Sequence, residues 1–266
     1  MNLYRVVDIN EARSYDGLAL IEAALTGVGR SYAVEPENFC ANYTKEWRSW
    51  RAFTAGANRL PELTYADVSF GKEGFSLHYT NSLVNFDEPP ELGSLHIGIS
   101  VPETEGSIEH MLSLAKDLCR QSPFEYGYIH SLADNLTQFG EQKIRRTISG
   151  MSVRVDRSGT IWDYHLAAIR SGFLRSVYAV NLINESHLAN PAIGKLLQRN
   201  VGVVSPFEGE LKIWRLSEAD LNSALEVLAE SGSLIWHERG MEKFLAQPHA
   251  SEVHMRMSPA RADTPK

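Results

Sequence analysis

The sequence predicts an α+β protein built of mixed or antiparallel sheets with flanking helices, and three observations predict this class. Apolar residues that alternate with polar or small ones, as at Leu95, Ile97 and Ile99, indicate strands. Apolar residues at steps of three and four, as from Ser107 to Gln121, indicate amphipathic helices. The composition, 43% hydrophobic and 22% charged over 266 residues, is typical of a globular chain and excludes disordered and collagen-like classes.

Residues 1–60 are predicted to form a helical segment that packs on a first lobe. Leu18, Ile21 and Leu25 predict a helix from Asp16 to Thr26 that stops at Gly27. A second helix is predicted from Glu37 to Ala55, with an aromatic face formed by Phe39, Tyr43, Trp47, Trp50 and Phe53. We assign this face to the core, because aromatic residues at helical spacing are more often core than a binding surface.

Residues 61–150 are predicted to form the first α+β lobe. Strands at 65–70 and 75–80 are joined by a turn that contains Gly71 and Gly74. A half-buried strand at 95–101 and the helix at 107–121 follow. Pro123 ends that helix, a strand returns at 124–130, and a polar connection runs through 142–146.

Residues 151–247 are predicted to form the second lobe, in the order β-α-β-β-α-β. The first strand, at 177–183, is apolar enough for burial on both faces. The predicted elements that follow are a helix at 191–199, strands at 201–204 and 211–214, a helix opened by a capping box of Ser217 and Asp220 and ended at Gly232, and a strand at 234–236. The first lobe partly repeats this order, which allows two related lobes. Residues 248–266 are predicted to be a flexible tail.

The negative charge of the chain is concentrated in its first half. Residues 1–150 hold 20 acidic and 13 basic residues, which accounts for the whole formal net charge of −7, whereas residues 151–266 hold 13 of each. No Lys or Arg occurs between Lys72 and Lys116, a stretch that contains Glu73 and the six residues that we predict to bind a partner: Asp87, Glu88, Glu91, Glu103, Glu105 and Glu109.

This acidic stretch repels phosphate backbones and would attract a basic protein surface, so we expect a protein partner and no direct nucleic-acid binding. Three alternatives stay open. The acids could only keep a loop soluble, or Glu103, Glu105 and Glu109 could be there because they precede or begin a helix, where the helix dipole favours negative charge. Folding could also bring Lys or Arg from elsewhere in the chain to these carboxylates.

No catalytic motif of high specificity occurs. The chain lacks a Gly-x-Ser-x-Gly elbow and a His-Glu-x-x-His metal motif, and the glycines at Gly27 and Gly29 lack the rest of a phosphate loop. Cys40 and Cys119 are predicted to be small buried apolar residues. We therefore assign no catalytic residue, no cofactor and no metal, and expect a binding protein instead of an enzyme. The alternative is a small-molecule enzyme with dispersed carboxylate or histidine groups between the two lobes.

The second half resembles bacterial polymorphic-toxin immunity proteins associated with type VI secretion effectors. The resemblance is carried by the segment from Val177 to Leu188, by Pro191 and Gly194, by Leu211-Lys212-Ile213-Trp214, and by Gly232 with Leu234-Ile235-Trp236. The family that it resembles is α+β and includes partners of toxins with a restriction-endonuclease-like nuclease domain.

The resemblance implies a cytoplasmic immunity protein that binds and neutralises a cognate toxin. Such a protein would block the basic substrate-binding surface of a nuclease or lock the nuclease in an inactive arrangement. A cytoplasmic location also fits the first eight residues, which lack the basic start and long apolar core of a signal peptide. No apolar run approaches the ~20 residues of a membrane helix, so we expect no membrane partner.

Overall fold

The structure, a computed structural model, describes residues 1–42, 45–81, 92–131, 143–147, 150–154, 167–235 and 237–246. The strands are β1 Asn2–Asp8, β2 Pro36–Ala41, β3 Lys45–Trp47, β4 Tyr65–Phe70, β5 Ser76–Asn81, β6 Leu92–Ser100, β7 Tyr126–Ile129, β8 Lys143–Thr147, β9 Gly150–Arg154, β10 Val180–Ile183, β11 Val203–Pro206 and β12 Lys212–Arg215. The helices are α1 Ile9–Ser14, α2 Gly17–Tyr32, α3 Trp50–Ala57, α4 Ser107–Gln121, α5 Ala167–Arg170, α6 Glu185–Leu188, α7 Pro191–Gln198, α8 Glu218–Glu230 and α9 Glu238–Leu245.

Ten of these strands form one sheet in the order β11-β12-β10-β7-β1-β6-β5-β4-β2-β3, and every neighbouring pair in it is antiparallel. β8 and β9 pair separately. The α+β class with an antiparallel sheet is therefore confirmed. β7 pairs with β10, so strands of the two predicted lobes share this sheet; the lobe boundaries themselves stay predictions.

The sheet is covered on both faces, because its central strands send alternate side chains into two separate cores. In β1, Leu3 and Val7 enter a first core, where the buried faces of α2 and α4 pack. Tyr4 and Val6 enter a second core, which α7, α8 and Phe244 of α9 help to form. Because both faces are buried, the middle of the sheet accepts few charged side chains.

Helix α2 runs beyond the predicted stop at Gly27 and ends at Ala33, which adopts a left-handed conformation with φ 51°. Gly27 lies inside the helix because α4 packs closely there. A Cβ atom at this position would lie 2.3 Å from Cδ1 of Leu114. The glycine is thus explained by a close helix–helix approach and not by a helix end.

The predicted aromatic helix from Glu37 to Ala55 is wrong, because this segment forms β2, β3 and α3. Phe39 pairs with Trp47 across the two strands, and Phe39 stacks on Phe53 of α3 with ring centroids 5.3 Å apart. Three elements therefore converge on one aromatic cluster, and their residues happen to recur at helical spacing. The core assignment is confirmed for Phe39 and Phe53, which are buried, with Trp47 and Trp50 packed on them. Tyr43 lies outside the described residues.

Other predicted elements are confirmed in type and approximate place. They are the β4–β5 hairpin, α4, β7, β10, α7, β11, β12, and α8 with its capping box of Ser217 and Asp220. The predicted half-buried strand, β6, is buried on both faces, since Ser94 and His96 are buried along with its apolar residues.

Two further short predictions are corrected. The polar connection at 142–146 contains β8, whose backbone pairs with β9 although no apolar pattern signals a strand. The predicted last strand is reduced to a single bridge between Leu234 and Leu174, because the chain turns there into α9, whose Gly240 packs on the backbone of Leu234. Trp236 and the predicted tail at 248–266 lie outside the described residues.

The residues that carry the family resemblance have structural roles in the second core. Asn181 accepts a hydrogen bond from the Tyr178 backbone N–H and donates one to the Tyr178 carbonyl. Asn184 caps α6. Trp214 is fully buried and donates from Nε1 to the carbonyl of Val201 at 3.1 Å. Among the described residues, no helix is both long enough and apolar enough to cross a membrane.

We expect Gly127→Ala to destabilise the protein by about 1–3 kcal/mol, the usual range for an overfilled core. A Cβ atom at Gly127 of β7 would lie 2.7 Å from both the Asn2 carbonyl oxygen and Cδ2 of Leu3 on the neighbouring strand. The measurement is the free energy of unfolding in urea.

Gly194→Ala is the matched control, because Gly194 lies within α7 and a Cβ atom there would meet no other atom within 4 Å outside its own helical turns. This exchange should raise the stability by about 0.5–1 kcal/mol. Equal effects of the two exchanges would contradict the close packing of β1 against β7.

Candidate functional site

The start of α4 holds the three predicted partner-binding acids that the structure describes. Glu103 and Glu105 are exposed in the loop between β6 and α4, and Glu109 is exposed in the first turn of the helix. The loop is fixed by Ser107, whose Oγ accepts from the Thr104 N–H at 2.8 Å and whose own N–H donates to the Thr104 carbonyl at 3.0 Å.

Ile108 lies among these acids and is 42% exposed, one of three large apolar side chains that stand out as exposed in the described parts of the chain. We call the group of Glu103, Glu105, Ile108 and Glu109 the α4 N-terminal surface. Its charge is suited to this position, because the partial positive charge at a helix N-terminus favours carboxylates. The surface thus combines negative charge with a solvent-exposed apolar side chain.

The three acids of this surface differ in their partners. Glu109 accepts two hydrogen bonds from Arg215 of β12, at 2.8 and 3.3 Å, and these bonds hold the pKa of Glu109 below its ordinary value. Glu103 accepts a hydrogen bond from the Ser131 hydroxyl. Within the described parts of the chain, no Lys or Arg forms an ion pair with Glu103 or Glu105.

The pairing of Glu109 realises one of the alternatives left open from the sequence, that folding brings a basic residue to one of these carboxylates. Both side chains of the pair are largely exposed, 65% for Glu109 and 45% for Arg215, so the pair adds at most about 1 kcal/mol to stability. Its geometric effect is to hold the start of α4 against the last residue of β12. Asp87, Glu88 and Glu91, the other three predicted residues, lie outside the described residues, and Glu73 is exposed in the β4–β5 turn.

A cleft of about 520 Å³ opens where β1 and β10 end and β7 begins. Arg170 of α5 donates from Nε and Nη2 to the two carboxylate oxygens of Glu125, both at 2.9 Å, and Arg5 pairs with Glu11. Glu208, which also lines the cleft, forms an ion pair with Arg120 at 3.3 Å. We call this region the Arg170 cleft. Three of its carboxylates are therefore already bound by the cations of the chain.

Cys119 also lines the Arg170 cleft and is half-buried. Burial raises the pKa of its thiol to about 12, so the thiol stays protonated near neutral pH and is a poor nucleophile. Neither cysteine forms a disulfide, and both are only half-buried where full burial was predicted.

A row of histidine and tyrosine rings crosses the sheet within its interior, and it was not predicted from the sequence. His78 of β5 lies 5.7 Å from His96 of β6, and His96 stacks on Tyr4 of β1 at 4.4 Å between ring centroids. The row continues through Tyr128 of β7, which stacks on Tyr178 at 4.0 Å, and the Tyr4 and Tyr128 hydroxyls lie 3.3 Å apart. The sequence signal that could have indicated this row is that the rings occupy alternate positions of neighbouring strands.

Burial makes the histidines of this interior weak bases. It lowers the pKa of His78 and of His130 to about 4, that of His187 to about 3, and that of His96 well below the ordinary value. Their rings are therefore neutral near pH 7 and serve as hydrogen-bonding and stacking groups. His187, for example, donates from Nε2 to the Phe173 carbonyl at 3.1 Å.

In the described segments, no group of three or more His, Cys, Asp or Glu side chains is arranged to hold a metal ion. Two surface regions of the described residues carry charged groups in a defined arrangement. The α4 N-terminal surface presents acids around an apolar side chain, and the Arg170 cleft presents ion-paired charges.

Comparison with known proteins gives limited similarity. No family model matches the chain, and no curated protein matches it. A solved structure, the Pseudomonas aeruginosa T6SS protein PA0821, is similar at 12% sequence identity with a TM-score of 0.49, over 85% of this chain and 74% of that chain.

We expect the free energy of unfolding to fall as the pH is lowered from about 6.5 to about 4. The ordinary pKa of histidine is 6.5, whereas folding lowers the pKa of His78 to about 4 and of His187 to about 3. In this window the unfolded chain binds more protons than the folded chain, so acid favours unfolding. Urea titrations at pH 7.5, 6, 5 and 4.5 measure the slope.

His187→Gln should reduce this slope, because the amide can still donate to the Phe173 carbonyl but takes up no proton. His110→Gln is the control, since His110 is exposed, and it measures the effect of removing an exposed histidine on the slope. A stability that does not change over this pH range would contradict the neutral, buried state of these rings.

Proposed function

We propose that this protein binds and neutralises a cognate antibacterial toxin, a type VI secretion nuclease effector, through the α4 N-terminal surface, and that it does so without catalysing a reaction. The observation that carries the proposal is the exposed Ile108 between Glu105 and Glu109 at the start of α4. An apolar anchor with a charged rim is the arrangement that protein interfaces use, because buried anchors supply most of the affinity.

The sign of the charge indicates the partner. A nuclease presents Lys and Arg to hold phosphates, and carboxylates on an inhibitor can occupy the same cations. Glu103 and Glu105 are the acids of this surface without an ion pair in the described part of the chain. They supply long-range attraction, whereas Glu109 is already compensated by Arg215 and mainly fixes the helix. The resemblance of the second half to immunity proteins supports the same class of partner.

A second candidate function is a small-molecule enzyme that uses the Arg170 cleft. The volume of about 520 Å³ and the convergence of Glu11, Glu125 and Glu208 favour it. Against it, both oxygens of Glu125 are occupied by Arg170, and Glu208 is shared between Arg120 and Lys116. A general acid or base must reach its substrate, so these pairs would first have to open.

The first test is growth rescue. Co-expression of the chain with each nuclease toxin encoded by neighbouring genes should restore growth for one of them, and the pair should form a stable one-to-one complex. If no such toxin is neutralised, the proposal is wrong.

With that toxin, Glu103→Lys/Glu105→Lys should slow association by about tenfold at low salt, because reversal of two charges replaces attraction of a basic surface with repulsion. The rate is measured by surface plasmon resonance at several salt concentrations, with thermal unfolding to verify the fold.

Glu226→Lys/Glu230→Lys is the matched control, since both residues are exposed on α8 and the net charge changes by the same amount. This control should keep the wild-type association rate. Equal slowing by both variants would assign the effect to net charge alone, and an unchanged rate for the first variant would remove Glu103 and Glu105 from the interface.

A further inference from the structure

Strand β11 is one outer edge of the ten-stranded sheet, and no strand in the described part of the chain pairs with its outer side. The strand, Val203–Pro206, carries no charged residue, and Val203 is 70% exposed. Natural edge strands are commonly protected by charged side chains or proline, because a bare edge pairs with other strands. Here only Pro206, at the end of the strand, gives such protection.

The hydrogen bonds of the neighbouring strand identify which backbone groups of β11 face outward. Leu216, just after β12, donates from its backbone N–H to the Ala179 carbonyl. Every second residue of β12 therefore directs its backbone N–H and C=O towards β10, and the residues between them, Ile213 and Arg215, direct theirs towards β11. Their partners in the register are Ser205 and Val203. The N–H and C=O of Val204 and the C=O of Pro206 therefore point away from the sheet.

An antiparallel partner strand related by a two-fold axis through Val204 fits these groups. Val204 would exchange both of its backbone hydrogen bonds with Val204 of a second copy, and Val203 would lie opposite Ser205. A symmetric alignment centred on Ser205 instead places the Val204 carbonyl opposite the nitrogen of Pro206, which carries no hydrogen. The alignment through Val204 therefore satisfies more of the exposed backbone.

The charges that flank the edge also suit a second copy. Arg199 is exposed before β11, and Glu210 is exposed after it, at the turn to β12. An antiparallel arrangement brings the basic end of one edge towards the acidic end of the other, so the edge is complementary to itself.

We infer that β11 is the self-association edge of this protein, where a second copy pairs antiparallel through Val204 to continue the sheet across a two-fold axis. The pairing is short, and it buries less than the ~1,600 Å² of a standard interface. The dimer is therefore weak, with a dissociation constant on the order of 10–100 µM. This inference does not depend on the proposed function.

Sedimentation velocity of the full chain between about 5 and 500 µM tests the association. The weight-average mass should rise from the 29.7 kDa of one chain towards twice that value. Val203→Lys places a charge on the edge and should raise the dissociation constant at least about tenfold. Leu225→Lys is the matched control, because Leu225 is 40% exposed on α8, and it should associate like the wild type.

Disulfide cross-linking tests the alignment. A mixture of Val203→Cys and Ser205→Cys proteins should form a linked heterodimer under mild oxidation, in higher yield than either variant alone, because only unlike positions face each other across the axis. A wild-type chain that stays monomeric at about 500 µM, or a Val203→Lys variant that associates normally, overturns the inference. Efficient linkage of Ser205→Cys alone overturns the alignment through Val204.

Discussion

The structure depends on one constraint, which is that a ten-stranded sheet must be covered on both of its faces. β1 shows what this demands of a sequence, because Leu3 and Val7 enter one core while Tyr4 and Val6 enter the other. Most side chains of such a strand have to be apolar, and any polar ring buried within it has to be neutral and hydrogen-bonded. The histidine and tyrosine row across β5, β6, β1 and β7 meets that requirement, with imidazoles whose pKa values burial keeps low.

Several ion pairs instead lie where strands and helices begin or end. Arg170 and Glu125 meet where β7 begins, and Glu109 and Arg215 join the start of α4 to the end of β12. These pairs lie at places where two layers have to be held in one relative position. Glu103 and Glu105 of the α4 N-terminal surface form no ion pair with a Lys or Arg of the described residues. The proposed interface is therefore centred on these two acids and Ile108.

The sequence predicts the elements whose signals are local. The spacing of apolar residues places α4, and the Ser217–Asp220 capping box places α8, since both depend on neighbours within one or two turns. Prediction fails where distant packing decides. Gly27 lies inside α2 and not at its end, because Leu114 packs closely on it. Likewise, Phe39, Trp47 and Phe53 belong to three different elements that meet in one aromatic cluster.

The candidate site divides in the same way. The acids at the start of α4 are visible in the sequence, because a stretch without Lys or Arg needs no knowledge of the fold. The compensation of Glu109 by Arg215 is not visible, because 106 positions separate the two residues in the chain.

The order of strands in the sheet also governs how the chain can assemble. β1 lies in the middle of the sheet, yet its partners β6 and β7 begin at Leu92 and Tyr126, so during synthesis the apolar side chains of β1 lack both neighbouring strands until those later segments have been made.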